Sequence, residues 1–413
     1  MAGATTRASD RLASSDAATT VGLIAVANAV LYGFSIGAAR LLDVADYGQF
    51  AGMYALIALT NVIVAALQLS TAQRVAADPD HPVGPDATST LAAAAVVFAV
   101  VFGAMLALAD GIAVVLLASA ALVAAAYVPW NIVTGIYQGQ NRMIGYGSLM
   151  LGQSVTRLAA LFVLAIAAEP EVLMAATAVA MFPPLLEGLR QLRLSADAAR
   201  IRVSWGGLGQ TTVVATAMGF VTLGDVAMVS LVHDHESGGV YAAVALLGRV
   251  VVFIPTALGP VYFPTFVRLT ADGTRRRAVL VRVTAVSGAV SAALAVAIAV
   301  APDLAIGATV GDAYRDGTTI VVPYMLASWT IGVATLVAHE RLAMQDRRFV
   351  WGIAAPVLTA MVFASGLAGS PRAAAWWMAV LGGVVLVGAV TRSVTSDDVI
   401  DLRRPADDQD RVR

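Results

Sequence analysis

The 413-residue sequence contains no cysteine and no lysine, so all 26 of its basic residues are arginine. Without cysteine, the chain can form neither a disulfide framework nor a thiolate metal site. Without lysine, it lacks the residue that a Walker-type loop places on nucleotide phosphates, and Schiff-base chemistry is excluded for the same reason. The net charge of −1 gives no indication of nucleic-acid binding.

Charge of either sign is scarce: charged residues make up 13% of the chain and hydrophobic residues 59%. Soluble domains carry about 25% charged residues, so the composition predicts a polytopic membrane protein. Hydropathy then predicts twelve membrane-spanning helices. They cover residues 19–39, 50–73, 88–109, 111–136, 144–167, 171–189, 207–231, 239–267, 279–300, 318–339, 350–368 and 373–391.

The arginines fall almost entirely on one side of this topology. Segments on the side of the N-terminus carry 21 arginines and the opposite side carries three, while Arg157 and Arg249 lie within helices. Because positively charged segments stay in the cytoplasm, we expect a plasma-membrane protein with both termini cytoplasmic. We expect disordered tails before residue 19 and from Thr395 onward, and we expect the arginine run 275–277 to contact anionic inner-leaflet lipids.

A polar corner followed by a long apolar run occurs twice. Residues 48–51 (GQFA) align with 239–242 (GVYA), and residues 140–142 (QNR) align with 345–347 (QDR). The two offsets, 191 and 205, are similar enough for one duplication with insertions. We therefore interpret the chain as two related six-helix lobes, the arrangement of many secondary transporters. The expected segments are a cytoplasmic tail (1–18), an N-terminal lobe (19–189), a cytoplasmic linker (190–206), a C-terminal lobe (207–392) and a charged cytoplasmic tail (393–413).

Several segments, in this order and spacing, resemble the polysaccharide-export branch of the MOP transporter superfamily. They are LLDVADYGQF (41–50), YQGQNR (137–142), GDVAMV (224–229) and GVYAAVALLGR (239–249). The resemblance spans residues 20–392, although many members of that branch carry two further C-terminal helices. It implies two six-helix lobes around a central cavity, MATE-like, lined mainly by helices one, two, seven and eight and working by alternating access. It also implies a lipid-linked glycan as the substrate and polysaccharide-assembly machinery as a partner.

Three charged residues at membrane depth are the sharpest candidates for function. Arg157 lies about 20 Å into helix five, where an arginine costs on the order of 2.5–3.5 kcal/mol. It can bind the pyrophosphate of a lipid-linked sugar, or it can be a structural ion pair or a carbonyl cap. Arg249 and Asp225 lie at depths that differ by about 6 Å. They can form a static ion pair, or Arg249 can be a second anion contact with Asp225 as its partner or as a proton-coupling carboxylate.

Polar side chains at membrane depth complete the predicted substrate site: Asn28, Asn61, Gln68 and Gln153. They can bind sugar hydroxyls or form interhelical hydrogen bonds, which contribute about 0.6 kcal/mol each. A Gly33-x-x-x-Gly37 pattern predicts close packing of helix one, whereas residues 339–341 (HER), at the end of helix ten, are expected to be solvated.

The sequence leaves two transport functions open. We expect a flippase that moves a lipid-linked oligosaccharide from the inner to the outer leaflet, because the deep charges are two arginines against one aspartate. The alternative is a proton- or sodium-coupled multidrug antiporter of the same superfamily. We expect no enzyme activity, no catalytic residues, no cofactor and no bound metal, since the sequence offers no outer domain that would hold an activated sugar.

Overall fold

The computed structural model describes residues 2–76, 83–108, 111–164, 169–192, 199–203, 223–270, 272–344 and 367–401. Within these residues, nine helices are long and apolar enough to cross a membrane. The chain is an all-α membrane protein, because apolar runs of this length satisfy their backbone hydrogen bonds internally only as helices. The elements are α1 (Ala2–Leu41), α2 (Val44–Ala76), β1 (Val83–Pro85), α3 (Ala87–Leu108), α4 (Val114–Gly139), α5 (Met143–Leu164), α6 (Pro170–Val179), α7 (Phe182–Gln191), β2 (Ala199–Ile201), α8 (Leu223–Val232), α9 (His235–Arg268), α10 (Gly273–Val300), α11 (Pro302–Thr309), the 3₁₀ helix η1 (Asp312–Gly317), α12 (Thr318–Ala343) and α13 (Pro371–Asp401).

Helix packing separates the chain into an N-terminal group, α1–α7, and a C-terminal group, α8–α13. In the first group α1 packs along α5, and α4 packs against α2, α3 and α6. In the second group α12 is central and contacts α9, α10 and α13. The two groups, called lobes below, meet mainly where α2 packs on α9, whereas α1 touches α9 only slightly. This leaves a cleft between α1 and α9.

The two glycines that the sequence repeat aligns lie against each other at the start of α2 and α9. A Cβ atom added to Gly48 would collide with the carbonyl oxygen of His235, and one added to Gly239 would collide with that of Val44. Only glycine permits two backbones to approach this closely. We call this contact the glycine crossing, and we call the side of the molecule on which α1 ends the outer side. The contact agrees with the predicted duplication.

Both predicted disordered tails were wrong within the described residues. The segment before residue 19 belongs to α1, which begins at Ala2, and the segment after Thr395 continues α13 to Asp401. No glycine or proline occurs between residues 4 and 21, and alanine is frequent there, so intrinsic propensity extends the helix. The low hydropathy of these segments indicates that they leave the bilayer, but it does not stop the helix.

The predicted sixth helix, 171–189, is one apolar span, Pro170–Gln191, that the structure divides into two helices. The α6 helix ends at Val179, and α7 begins at Phe182 with prolines at its first turn. Proline lacks a backbone N–H group and cannot continue the hydrogen bonds of a preceding helix. Pro183 and Pro184 were therefore a usable signal for the break.

The linker between the lobes contains a strand that the sequence did not predict. Strand β2 pairs in parallel with β1, with Val83 opposite Ala199, and Arg74 donates from Nη1 to the carbonyl oxygen of Arg202 at 3.0 Å. Asp86, just before α3, accepts a hydrogen bond from the Ser89 N–H at 2.8 Å, which holds the pKa of its carboxyl below the usual range. The linker is thus attached to the N-terminal lobe.

Two predicted spans fall largely outside the described residues. Of the predicted seventh span, 207–231, the structure describes the part from residue 223, which is helical. Of the predicted eleventh span, 350–368, it describes only the last two residues. The division into six helices per lobe therefore stays a prediction.

Candidate functional site

Arg157 is buried inside the N-terminal lobe without a carboxylate partner among the described residues. The side chain is 2% exposed. Its Nη1 donates to the Tyr54 hydroxyl at 2.8 Å and its Nη2 to the Tyr127 hydroxyl at 2.9 Å, while its Nε is buried without a hydrogen-bond partner. Two neutral oxygens orient the guanidinium but do not neutralise it, so the predicted structural ion pair is absent from the described part of the lobe.

Asp225 has the complementary arrangement in the C-terminal lobe. The residue is 2% exposed. Its Oδ2 accepts hydrogen bonds from the hydroxyls of Tyr241, at 3.0 Å, and Tyr324, at 2.8 Å, and its Oδ1 is buried without a partner. A buried carboxylate is stabilised by such donors, and one oxygen remains available for a proton or a cation.

The tyrosines come from corresponding helices of the two lobes. Tyr54 and Tyr127 lie on α2 and α4, whereas Tyr241 and Tyr324 lie on α9 and α12. Helices α4 and α12 each contain 26 residues. Each lobe therefore surrounds one charge with two phenol groups. The hydroxyls accept hydrogen bonds from a cation in the N-terminal lobe and donate hydrogen bonds to an anion in the C-terminal lobe. Sequence reasoning missed these four tyrosines, although a phenol at membrane depth is itself a signal of a buried polar partner.

Arg249 lies in the cleft between α1 and α9. Together with Asn28 it lines a cavity of about 340 Å³. The other residues of this wall are Ala25, Ala29, Leu31, Tyr32, Ser35, Val250 and Phe253. The Arg249 side chain is half-buried, and its Nε has no hydrogen-bond partner. The cavity thus combines one cation and a few polar groups with a largely apolar wall.

Arg249 and Asp225 do not form an ion pair in the structure. Arg249 is close enough to act electrostatically on Asp225 and on Tyr54, but the tyrosines take the hydrogen-bonding positions on the carboxylate. The predicted static pair is therefore absent: both residues belong to the C-terminal lobe, and Arg249 remains available in the cleft.

The remaining predicted polar residues lie among the helices of the N-terminal lobe. The Oδ1 of Asn61 accepts from Nδ2 of Asn131 at 3.0 Å, and Gln68 lies near the hydroxyl of Tyr146. Gln153 differs, since its Nε2 is buried without a partner. The structure thus brings Asn28 and Arg249 to one cavity and places Asn61 in an interhelical hydrogen bond.

The prediction that Glu340 and Arg341 are solvated was wrong. They are 1% and 2% exposed, and Arg276 at the start of α10 is 2% exposed. Nε of Arg276 lies 2.9 Å from Oε1 of Glu340, and Nε of Arg341 lies 3.0 Å from Oε2 of the same glutamate. This buried triad joins α10 to the end of α12. Within the described residues, no group of three or more histidine, aspartate or glutamate side chains is placed to hold a metal ion.

Comparison with known proteins identifies the fold to which this arrangement of helices belongs. The sequence matches no protein-family model and no curated protein. Among solved structures, the chain is similar to a lipid II flippase, MurJ, in an inward closed conformation, with a TM-score of 0.63 and 11% identity over 90% of this chain and 87% of that one. It is similar to an inward-facing multidrug resistance MATE family transporter of the MOP superfamily, with a TM-score of 0.60 and 12% identity over 92% and 98% of the two chains.

A third similar structure is a MOP superfamily transporter from Pyrococcus furiosus described by a reversed polarity of its binding pocket. Its TM-score is 0.52, with 12% identity over 92% of this chain and 95% of that one. At these identities the comparison establishes the fold: the chain is folded like the transporters of the MOP superfamily. The polysaccharide-export branch within it stays a prediction.

Proposed function

We propose that this chain is a flippase that moves an anionic, lipid-linked oligosaccharide from the inner to the outer leaflet by alternating access. The observation that carries the proposal is the cleft between α1 and α9. Arg249 and Asn28 lie in it beside an apolar wall that includes Phe253, which is 43% exposed. A cation next to an apolar groove suits a substrate with an anionic head and a hydrocarbon chain.

The sign of the buried charge supports an anionic substrate. The two guanidinium groups, Arg157 and Arg249, have no carboxylate in contact within the described residues, whereas the one deep carboxylate, Asp225, is held by two hydroxyls. Charges in a weakly polarisable interior interact strongly over several ångströms. A planar guanidinium binds phosphate oxygens in pairs, so a diphosphate is the head group that the site fits best.

The two arginines have different places in this proposal. Arg249 is half-buried in the cleft and makes the first contact with the head group. Arg157 is enclosed by Tyr54 and Tyr127 and contacts substrate only in another conformation. Gln153, on the same helix, has a free buried amide and is the better remaining candidate for a sugar hydroxyl. Asn61, bonded to Asn131, fits a structural role instead.

A second candidate function rests on Asp225. Its Oδ1 is buried without a partner, and a carboxylate of this kind can take a proton or sodium ion in exchange for a cationic substrate. That arrangement fits a multidrug antiporter, and two structures of this fold are described as multidrug resistance MATE family transporters. The flippase is favoured because the described wall of the cleft holds an arginine and no acidic residue.

The remaining expectations belong to the same proposal. The protein is a transporter and has no catalytic activity of its own; it lies in the plasma membrane with both termini cytoplasmic. Of the arginine run 275–277, Arg275 and Arg277 are exposed and meet anionic inner-leaflet lipids, whereas Arg276 is buried against Glu340. Polysaccharide-assembly machinery supplies its lipid-linked glycan and takes the product. The similarity to MurJ supports this proposal through the fold alone.

Reconstitution into liposomes with a fluorescent undecaprenyl-pyrophosphate sugar tests the proposal. Wild type is expected to transfer the lipid between leaflets, and Arg249→Ala is expected to lower the transfer rate by about tenfold or more, the loss expected for a charge-assisted contact. Arg315→Ala is the matched control, because Arg315 is exposed on η1 and pairs with Asp312 of the same turn. Absence of transfer by wild type, together with proton-driven efflux of a cationic dye, would replace the flippase by the antiporter.

A further inference from the structure

The outer ends of the two lobes are joined by a set of contacts outside the substrate cleft. Arg40, at the end of α1, donates from Nε to the carbonyl oxygen of Thr309 at 2.6 Å and from Nη2 to that of Ala308 at 2.7 Å. Both carbonyls lie in the last turn of α11. The last carbonyls of a helix have no partner within it and carry the negative end of its dipole. An arginine of one lobe thus caps a helix of the other.

Tyr314 of η1 adds two further contacts to the N-terminal lobe. Its hydroxyl donates to the carbonyl oxygen of Ala39 at 2.7 Å, and this bond is buried. Its ring meets that of Tyr47 edge-to-face, with 5.8 Å between centroids. We call Arg40, Tyr47, Tyr314 and the two α11 carbonyls the outer latch.

The segment that carries the latch belongs to the C-terminal lobe. Gly317, at the end of η1, packs against Val244 and Val240 of α9, and α11 and η1 both contact α9. A force that separates the lobes on the outer side must therefore break the latch and open the glycine crossing together. Ser230 lies beneath both: it is 4% exposed and packs between Gly52 and Gly238.

We propose that the outer latch is the releasable part of a gate that keeps the outer side of the transport path closed, and that Arg40 sets how often this gate opens. The proposal rests on the proposed transport function for the meaning of the path, but not for the contacts. The glycine crossing fixes how the two lobes fit together, since two backbones in contact cannot slide past each other. The latch supplies the polar bonds that are lost on opening, and all three are accepted by backbone carbonyls that water can satisfy.

The chain contains no cysteine, so a single introduced thiol reports opening without background labelling. Ser230→Cys changes one atom, and the Ser230 hydroxyl has no hydrogen-bond partner to lose. Labelling of a buried thiol tracks the population of the open state when opening is fast. We would measure the rate of maleimide labelling of Ser230→Cys in the purified, detergent-solubilised full chain, which requires no transport.

Arg40→Ala and Tyr314→Phe, each combined with Ser230→Cys, are expected to raise the labelling rate by about fivefold, the factor that one net hydrogen bond contributes to an equilibrium constant. Gly239→Ala is expected to raise it at least as much, because the added Cβ meets backbone that cannot yield. Arg315→Ala is the control, since it removes the same charge from the same surface but breaks a contact within one lobe.

A second thiol separates gate opening from general loosening. Thr134 on α4 is fully buried inside the N-terminal lobe, and Thr134→Cys is expected to label slowly in every variant. Equal Ser230→Cys rates in wild type, Arg40→Ala and Tyr314→Phe would overturn the proposal. A rise shared by Arg315→Ala or by Thr134→Cys would overturn it as well, because the contacts would then stabilise the fold and not the gate. Loss of lipid transfer with normal labelling would instead count against the transport function.

Discussion

At the scale of single residues, the molecule isolates one charge in each lobe by the same means. Two phenol hydroxyls bind Arg157 from α2 and α4, and two bind Asp225 from α9 and α12. Phenols have the advantage of being able to accept from a cation or donate to an anion. The pattern lets a lobe hold a buried charge without a counterion in direct contact among the described residues, and so leaves that charge able to act on substrate or coupling ion.

Asp225→Asn tests the coupling role at this scale. The substitution keeps the shape and an acceptor oxygen for Tyr241 and Tyr324, so we expect the protein to fold and elute as wild type. Because the amide cannot take up a proton, we expect lipid transfer to lose its dependence on a proton gradient. The measurement is the transfer rate in proteoliposomes with and without an imposed pH difference. Unchanged rates and unchanged pH dependence would remove Asp225 from the coupling mechanism.

The sequence identified some of these residues and missed others. Arg157, Arg249 and Asp225 are identifiable because a charge inside an apolar run is rare and costly. Their partners are not, since tyrosines within such a run satisfy every criterion for a core residue, and which of them faces a charge depends on helix rotation. The HER segment at 339–341 was misjudged for a related reason: it follows an apolar helix, and only the packing of α10 buries it.

At the scale of elements, the buried triad fixes α12 against α10 at the cytoplasmic end predicted for both helices. Taking ion pairs out of water is costly, and removal of one partner leaves an uncompensated buried charge. The triad therefore marks a point where the C-terminal lobe tolerates little movement. The lobe can rotate as a body around such a point more easily than it can deform at it.

Glu340→Gln is expected to lower the free energy of unfolding by about 3–5 kcal/mol, because it leaves Arg276 and Arg341 buried beside a neutral group. Unfolding in mixed detergent micelles, followed by tryptophan fluorescence, measures the change. Glu187→Gln is the matched control: Glu187 pairs with Arg190 on an exposed surface, where water screens the interaction, and a much smaller effect is expected. Equal effects of the two substitutions would show that burial of the triad contributes nothing.

Sequence patterns predicted which helices exist more accurately than they predicted where each helix begins and ends. Apolar runs predict helices such as α3, because length and hydropathy together leave no other structure in a bilayer. They do not predict where a helix ends once it reaches water, as the long N-terminal extension of α1 shows. Strands β1 and β2 contain three residues each, which is too short for the sequence to show a strand periodicity. The Gly33-x-x-x-Gly37 pattern is half correct, since Gly37 contacts Leu161 but Gly33 has no close neighbour.

At the scale of the whole molecule, the one-sided distribution of the arginines predicts that both termini lie on one side of the membrane, and the sequence repeat predicts two related lobes. The two lobes meet mainly through α2 and α9, and the glycines aligned by the repeat touch at that contact. The comparison with solved structures establishes the fold for 90% or more of the chain. The fold is shared by proteins described as a lipid II flippase and as multidrug resistance transporters.

Membrane orientation is testable on the whole molecule. Asp316 on η1 and Thr274 at the start of α10 are both exposed and lie on opposite predicted sides. In intact cells we expect a membrane-impermeant maleimide to label Asp316→Cys, and to label Thr274→Cys only after permeabilisation, because the arginine-rich segments stay in the cytoplasm. Wild type, which has no cysteine, is the blank. The reverse labelling pattern would place both termini outside.

The unlike charges within the two lobes have a consequence for how such a molecule could be assembled. A symmetric dimer of one half-length chain would present identical residues on both sides of its axis, and would therefore carry the same buried charges in both of its phenol-lined interiors. Joining the halves into one polypeptide frees each copy to change alone. One copy can then specialise in attracting an anion while the other responds to a coupling ion, and the glycine crossing still holds the two lobes in contact.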